Sequence, residues 1–381
     1  MVLKDIAYYV DASVSSDSIE LKQYVTTDSL LQNKEGKTDA SNLPPQPCSL
    51  THFLPEDVLV ANIRPYLKKV WMADIEGGCS KDVLVIRAKG KHNAEYIYAL
   101  SLQDTFFENA MLGKKGTKMP RGDKDKIMEY PVLGHCEDDE RKVGHIISCI
   151  QRKIIHNTRI NAELEAMAKQ LYDYWFVQFD FPDGNGKPYK SSGGKMVYNE
   201  KLKREIPVGW DVDIIGNLLD KVTSTPRLQT EEYDMYGKYP IIDQTTDVYF
   251  AGFTNRADAV LTQYPAVVFG DHSCAVKYVN FPFVRGADGT QIMLSKIENV
   301  SIEYLYFTVK NIKISKGYAR HYGFLKDSLI IIPSLQQAND YKVIAERIFK
   351  QVSKKRYETQ RLVHLRDYLL PMLMNGQVTV E

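Results

Sequence analysis

At 381 residues the chain is long enough for two or three domains rather than one. Its 49 Lys and Arg stand against 48 Asp and Glu, a net charge of +1, so the total announces no partner and any nucleic-acid surface has to be a local cluster. Five scattered cysteines with no C-x-x-C pair argue against a disulfide framework or a structural zinc site, while the lack of an apolar leader or an eighteen-residue apolar run predicts a soluble cytoplasmic protein that meets no membrane.

Residues 1–142 read as a β-rich domain with irregular loops. Asp57-Val-Leu-Val-Ala61 and Asp82-Val-Leu-Val-Ile-Arg87 have strand composition, the stretch from Asn42 to Pro47 reads as loop, and the spacing of Tyr96, Ile97 and Leu100 predicts a short helix over 94–102. A long helix is predicted over 143–180. Steps of four and three residues from Val143 reach Ile147, Ile150, Ile154, Asn157, Asn161, Leu164, Ala168, Leu171 and Trp175, a heptad seam that turns polar in its middle. The aromatic run Tyr172, Tyr174, Trp175, Phe176, Phe179 and Phe181 has helical spacing and reads as packing rather than as a stacking platform.

Residues 181–206, rich in Gly, Pro, Lys and Ser, read as a connector. A second β-rich domain is predicted over 207–333, with strands at 239–243, 266–270, 275–280 and 328–332. A second long helix, 334–376, closes the chain with the seam Tyr341, Ala345, Ile348, Val352, Lys355, Thr359, Leu362, Arg366, Leu369 and Leu373. Its polar slots, Lys355 and Thr359, hold the same middle places as Asn157 and Asn161. Antiparallel pairing with the centres aligned therefore sets polar against polar.

The halves echo each other. Glu95-Tyr-Ile-Tyr98 returns as Glu303-Tyr-Leu-Tyr306 at an offset of 208, and Leu171-Tyr-Asp-Tyr174 as Leu365-Arg-Asp-Tyr368 at an offset of 194. Two echoes in the same order, each placed alike relative to a long helix, indicate a duplication with insertions. The fold class is thus α+β: two pseudo-repeated β-rich domains separated by two long antiparallel coiled-coil helices, about 54 Å for the first helix at 1.5 Å per residue.

Enzyme signatures are missing. Gly113-Lys-Lys-Gly-Thr-Lys118 has the wrong spacing for a phosphate-binding loop, the neighbours His135 and Cys136 lack a second ligand pair, and Asn42-Leu-Pro-Pro45, which superficially resembles an amino-methyltransferase signature, lacks the aromatic residue. Basic residues interleaved with glycine stand out instead. The stretch from Gly113 to Lys126 carries Lys114, Lys115, Lys118, Arg121, Lys124 and Lys126 for a local +4; that from Lys310 to Lys326 carries Lys310, Lys313, Lys316, Arg320 and Lys326 for +5, with Tyr318, His321 and Tyr322 among them. Such loops suit duplex DNA, whose phosphates take Lys and Arg and whose base edges take Arg, Gln, His and Tyr. Asn62, Arg64, Tyr66, Lys68 and Lys69 form a further candidate cluster, as do Arg227, Gln244, Arg256 and His272.

Leu164-Glu-Ala-Met-Ala-Lys-Gln-Leu-Tyr-Asp-Tyr-Trp-Phe176, followed by Phe179-Asp-Phe-Pro-Asp183, Gly186-Lys-Pro-Tyr189, Ser191-Ser-Gly-Gly-Lys-Met196 and Ile206-Pro-Val-Gly-Trp210, resembles the centre of a type I restriction-modification specificity subunit. The resemblance extends to Tyr24-Val-Thr-Thr-Asp28, Tyr239-Pro-Ile-Ile-Asp-Gln244 and Leu369-Leu-Pro-Met372, and so spans the chain. It implies two target-recognition domains, each reading half of a split, asymmetric DNA sequence, with the helices setting the distance between them. It further implies that two methyltransferase subunits using S-adenosylmethionine, and restriction subunits using ATP and Mg²⁺, carry the chemistry, with no cofactor in this chain. The rival readings are a stand-alone DNA-modifying or DNA-cleaving enzyme and a coiled-coil protein adaptor.

Overall fold

The computed structural model describes residues 1–113, 118–314 and 320–380. It divides into two compact units, Met1–Arg159 with Lys355–Glu381, and Ile160–Lys354. Both boundaries fall inside the long helices, Glu137–Tyr172 and Leu335–Met374. Each unit is therefore a β-rich domain together with one part of each helix, rather than domains and helices following one another as separate blocks.

In the first unit the strand Val58–Ala61 pairs antiparallel with Val83–Ala88 and with Val70–Met72, and Ala7–Tyr9 lies beyond Val83–Ala88. The run Val-Leu-Val-Ala is apolar throughout because both faces of this sheet are covered, and alternation sends successive side chains to opposite cores. Val58, Val60, Leu84 and Ile86 join the core beneath the helix Ala94–Ser101, while Leu59, Ala61, Val83 and Val85 join a second core with Phe53 and Trp71. A second sheet holds Ser13–Ser15, Ser49–Phe53, Gly77–Cys79 and Tyr24–Val25, with Tyr24–Val25 parallel to Gly77–Cys79.

The second unit repeats this plan. Ala266–Gly270 lies between Val276–Val279 and Thr290–Met293, all antiparallel, and a bridge from Leu219 to Ser295 supplies the outer position that Ala7–Tyr9 holds in the first unit. Its other sheet again has a parallel pair, Tyr239–Ile242 with Phe283–Arg285, flanked antiparallel by Val260–Leu261 as Gly77–Cys79 is flanked by Ser49–Phe53.

The echoed tetrapeptides have a physical reason to match. Helix Ala94–Ser101 is capped by Asn93, whose side chain accepts the Tyr96 N–H, and helix Ile302–Asn311 by Ser301, which accepts the Tyr304 N–H. From those helices the Tyr96 hydroxyl donates to Leu133 O at 3.2 Å and the Tyr304 hydroxyl to Ile331 O at 2.5 Å. In each unit this ties the helix to the segment that leads into a long helix.

Residues 181–206 are folded, which corrects the connector reading. Met196–Asn199 and Arg204–Pro207 form an antiparallel hairpin, and Tyr189 stacks on Phe181 with centroids 4.7 Å apart. Preceding them, the first long helix ends in a π-helical turn, Asp173–Val177, that turns Trp175 and Phe176 into the core. There Phe176 lies 4.7 Å from Tyr304 and 5.0 Å from Tyr341, so the aromatic run is packing except for Tyr174, which is exposed.

Within each unit the long helices run antiparallel. In the first, Val143 and Ile147 share a core with Leu370, Leu373 and Met374, and the buried Arg366 donates to Gln151 Oε1 at 2.7 Å. In the second, Ala168, Tyr172 and Trp175 share a core with Tyr341, Ala345 and Phe349. Among the seam residues, Ile154, Asn157, Val352 and Arg366 are buried as expected, but Ile150, Asn161, Leu164, Leu171, Ile348, Lys355, Thr359, Leu362 and Leu369 are only half-buried. Gln151, Phe349 and Leu370 are buried beside Ile150, Ile348 and Leu369. A 3.6-residue helix drifts against a strict 3.5-residue count, so the buried position slips by one. Lys355 faces Glu358 at 3.0 Å instead of closing an interhelical pair. Among the described residues no helix is long and apolar enough to cross a membrane.

Candidate nucleic-acid interface

In the first unit the turn Pro65–Leu67 joins two adjacent strands, and its flanking residues Arg64 and Lys68 both have φ +52°. The chain leaving the basic stretch is pinned beside it. Arg64 N–H donates to Pro120 O at 2.8 Å, Ile63 bridges Arg121, and Gly122 N–H donates to Asn62 O at 2.9 Å. Gly122 has no room for a side chain, since a Cβ would stand 2.9 Å from Asn62 Oδ1 and 3.2 Å from Pro65 Cγ.

Arg64, Lys118 and Arg121 are exposed. Arg121 also reaches Asp82 Oδ1 at 3.0 Å, an exposed pair that costs little to break. Lys68 is tethered to Asp104 at 2.9 Å, and the same carboxylate holds the buried Lys34 at 2.7 Å. Lys69 is withdrawn from the candidate set: it is buried, its Nζ donates to Thr27 O, and burial lowers its pKa. Lys114 and Lys115 lie outside the described residues.

In the second unit the equivalent surface gathers around the turn after Ala266–Gly270. His321 N–H donates to Asp271 O at 3.1 Å, as Gly122 N–H does to Asn62 O in the first unit, and Tyr322 N–H donates to Asp271 Oδ1 at 2.8 Å. Arg227, His272 and Arg320 are exposed and Tyr322 is half-buried, its ring 5.3 Å from Lys326 Nζ. Lys316 and Tyr318 lie outside the described residues.

Three further candidates change role. Gln244 donates to Asp288 O at 2.8 Å and accepts the His272 backbone N–H at 3.2 Å, so its amide joins three segments rather than facing a base. Arg256 is held by Glu232 at 3.2 Å and Asp258 at 2.8 Å, which already balance its charge. His321 is buried. Sequence reasoning missed Arg285, half-buried at the end of its strand, where it donates to Thr290 O at 2.6 Å. Burial, then the neighbouring Arg227, bring its pKa down to about 10. The only hint was its place before Gly286. Among the described residues no group of three or more His, Cys, Asp or Glu could hold a metal.

The fold and this surface define a class: a duplicated α+β domain that carries a basic segment at the same topological place in each copy, clasped by paired helices. No protein-family model matches the chain. It is 24% identical over 313 residues to the type I restriction enzyme MjaIX specificity subunit of Methanocaldococcus jannaschii, covering 76% of this chain and 70% of that one. It is 21% identical to the type I restriction enzyme HindI specificity subunit of Haemophilus influenzae, covering 93% and 94%. The crystal structure of the type I restriction-modification S subunit from M. genitalium superposes with a TM-score of 0.59 at 12% identity, over 98% of this chain and 95% of that one, and shares its fold. The chain is thus similar in sequence to type I restriction-modification specificity subunits and shares the fold of one such S subunit.

Proposed function

We propose that this chain is the DNA sequence-specificity subunit of a type I restriction-modification enzyme. It would recognise a bipartite, asymmetric duplex target and carry two methyltransferase subunits and the restriction subunits, which would bring S-adenosylmethionine, ATP and Mg²⁺. The observation that carries the reading is the repeat itself. Two copies of one topology each pin an exposed basic segment to the residue after the central strand, through Gly122 with Asn62 and His321 with Asp271. One recognition surface per copy matches a target in two parts, and different loop residues in the copies match an asymmetric one.

Both long helices begin in one unit and end in the other, which supports their role as the spacer. At 1.5 Å per residue the first would be about 54 Å long, against about 34 Å for one turn of DNA. The test is methylation mapping in a host carrying this chain with its methyltransferase partner. A split adenine motif that loses one half when residues of one unit are exchanged supports the reading; methylation independent of this chain overturns it.

A further inference from the structure

We propose that Tyr66 is a wedge that opens a base step in one half of the duplex target, with Leu112 and Met119 as the apolar surround that receives the unstacked bases. This rests on the DNA-binding reading above and adds a mode of recognition to it.

Three observations converge on that turn. Tyr66 is the middle residue of Pro65–Leu67, and the residues on either side, Arg64 and Lys68, both hold φ +52°. Non-glycine residues seldom adopt that conformation, and a pair of them bracketing one turn is a local strain that surrounding structure has to maintain. The surroundings do so: Pro65 is buried, Arg64 N–H is held by Pro120 O at 2.8 Å, and Lys68 Nζ is held by Asp104 at 2.9 Å. The strained frame leaves Tyr66 51% exposed.

Two segments that meet this turn also expose large apolar side chains. Leu112, at the end of the helix Asp104–Leu112 that packs on this turn, is 76% exposed, and Met119, beside Pro120, is 54% exposed. Large apolar side chains grouped on a surface mark an interaction site more often than chance exposure. The cations Arg64, Lys118 and Arg121 on the same segments are exposed; of the nearby acids, Asp82 is paired with Arg121 and Asp104 with Lys68 and Lys34.

Exposed apolar side chains and exposed cations on segments that meet at one turn fit the pattern of proteins that pay for unstacking a base step with side-chain insertion while neighbouring Lys and Arg hold the phosphates. Stacking on an aromatic ring requires no base-specific hydrogen bond, so the Tyr66 hydroxyl is dispensable for this role. The phosphate grip belongs to Arg64, Lys118 and Arg121.

The test uses the full chain assembled with its methyltransferase partner and duplexes carrying the mapped motif, with 2-aminopurine placed at successive positions through both halves. Wild-type protein should raise the fluorescence at one step in one half, Tyr66→Phe should keep the rise and Tyr66→Ala should lose it. Tyr66→Ala should weaken binding to the intact duplex about tenfold, but by less than about threefold when that step is already mismatched, because a mismatch removes the cost of unstacking. Circular dichroism checks that each variant is folded. Wild-type binding without any fluorescence rise, or a Tyr66→Ala protein indistinguishable from wild type on both duplexes, overturns the wedge and leaves DNA recognition standing. Failure of wild-type protein to retain any duplex overturns both.

Discussion

Replacing Gly144 by Ala sets two effects of opposite sign against each other. Gly144 lies inside the first long helix, where an exposed Gly→Ala change gains about 1 kcal/mol from backbone entropy. Here a Cβ would meet Tyr96 N at 2.5 Å, Asn93 Oδ1 at 2.8 Å and Glu95 C at 2.8 Å. Two of those atoms are backbone at the start of helix Ala94–Ser101, and the third is the oxygen that caps it. None can swing aside as a flexible side-chain end could. Relief requires the helix start to move off the long helix, loosening the Glu140 contacts to His92 at 3.0 Å and to the Asn93 N–H at 3.3 Å. Overpacking costs about 1–3 kcal/mol, and against fixed backbone atoms it falls in the upper part of that range, about 2–3 kcal/mol, so the net is a loss of about 1–2 kcal/mol. For a unit of this size that lowers Tm by roughly 2–8 °C. Thermal unfolding followed by circular dichroism measures it, with hydrogen exchange of the Ala94–Ser101 amides to localise the loss. A raised Tm would show that helix propensity decides at this site and refute the close-approach argument.

Three other outcomes follow from the geometry. Phe349, 1% exposed and stacked on Tyr278 at 4.1 Å, anchors the second unit's core, so Phe349→Ala should cost about 3–5 kcal/mol in urea unfolding; a cost below about 1 kcal/mol would mean the core collapses around the gap. Although burial acts to raise the Asp104 pKa, the hydrogen bonds from Lys34 and Lys68 outweigh it and the carboxyl sits below its usual value. A depressed carboxylate stabilises above its unfolded pKa of about 3.9 and loses that contribution as pH falls through the folded value. The stability gap between wild type and Asp104→Asn should therefore narrow from pH 5 downward, and a gap constant down to pH 2 would exclude the coupling. In DNA binding, Lys118→Ala and Arg64→Ala should each reduce the log–log salt slope by about 0.9, whereas Arg256→Ala, whose charge Glu232 and Asp258 already balance, should leave it unchanged; equal changes in all three would void the distinction between free and engaged cations.

Local pattern determined much of this protein. Val58–Ala61 and Ala266–Gly270 are strands because continuous β-branched and apolar runs of that length suit a sheet covered on both faces, and both long helices followed from their 3.5-residue periodicity. The echo of Glu95-Tyr-Ile-Tyr98 in Glu303-Tyr-Leu-Tyr306 was legible because the first tyrosine of each has to reach an equivalent backbone carbonyl. What tertiary structure alone decided is where side chains end up once segments distant in sequence meet. Lys69 and Lys68 are adjacent and chemically alike, yet one is buried on Thr27 O and the other faces Asp104 at the surface. Gln244 became a joint between turns because Asp288 and His272 arrive from elsewhere in the chain. The glycine-rich stretch after Phe181 folds because Tyr189 stacks on Phe181 against a core that composition does not record. Periodicity is a property of neighbours along the chain; the partner that buries or frees a charge is set by contacts with segments far outside that window.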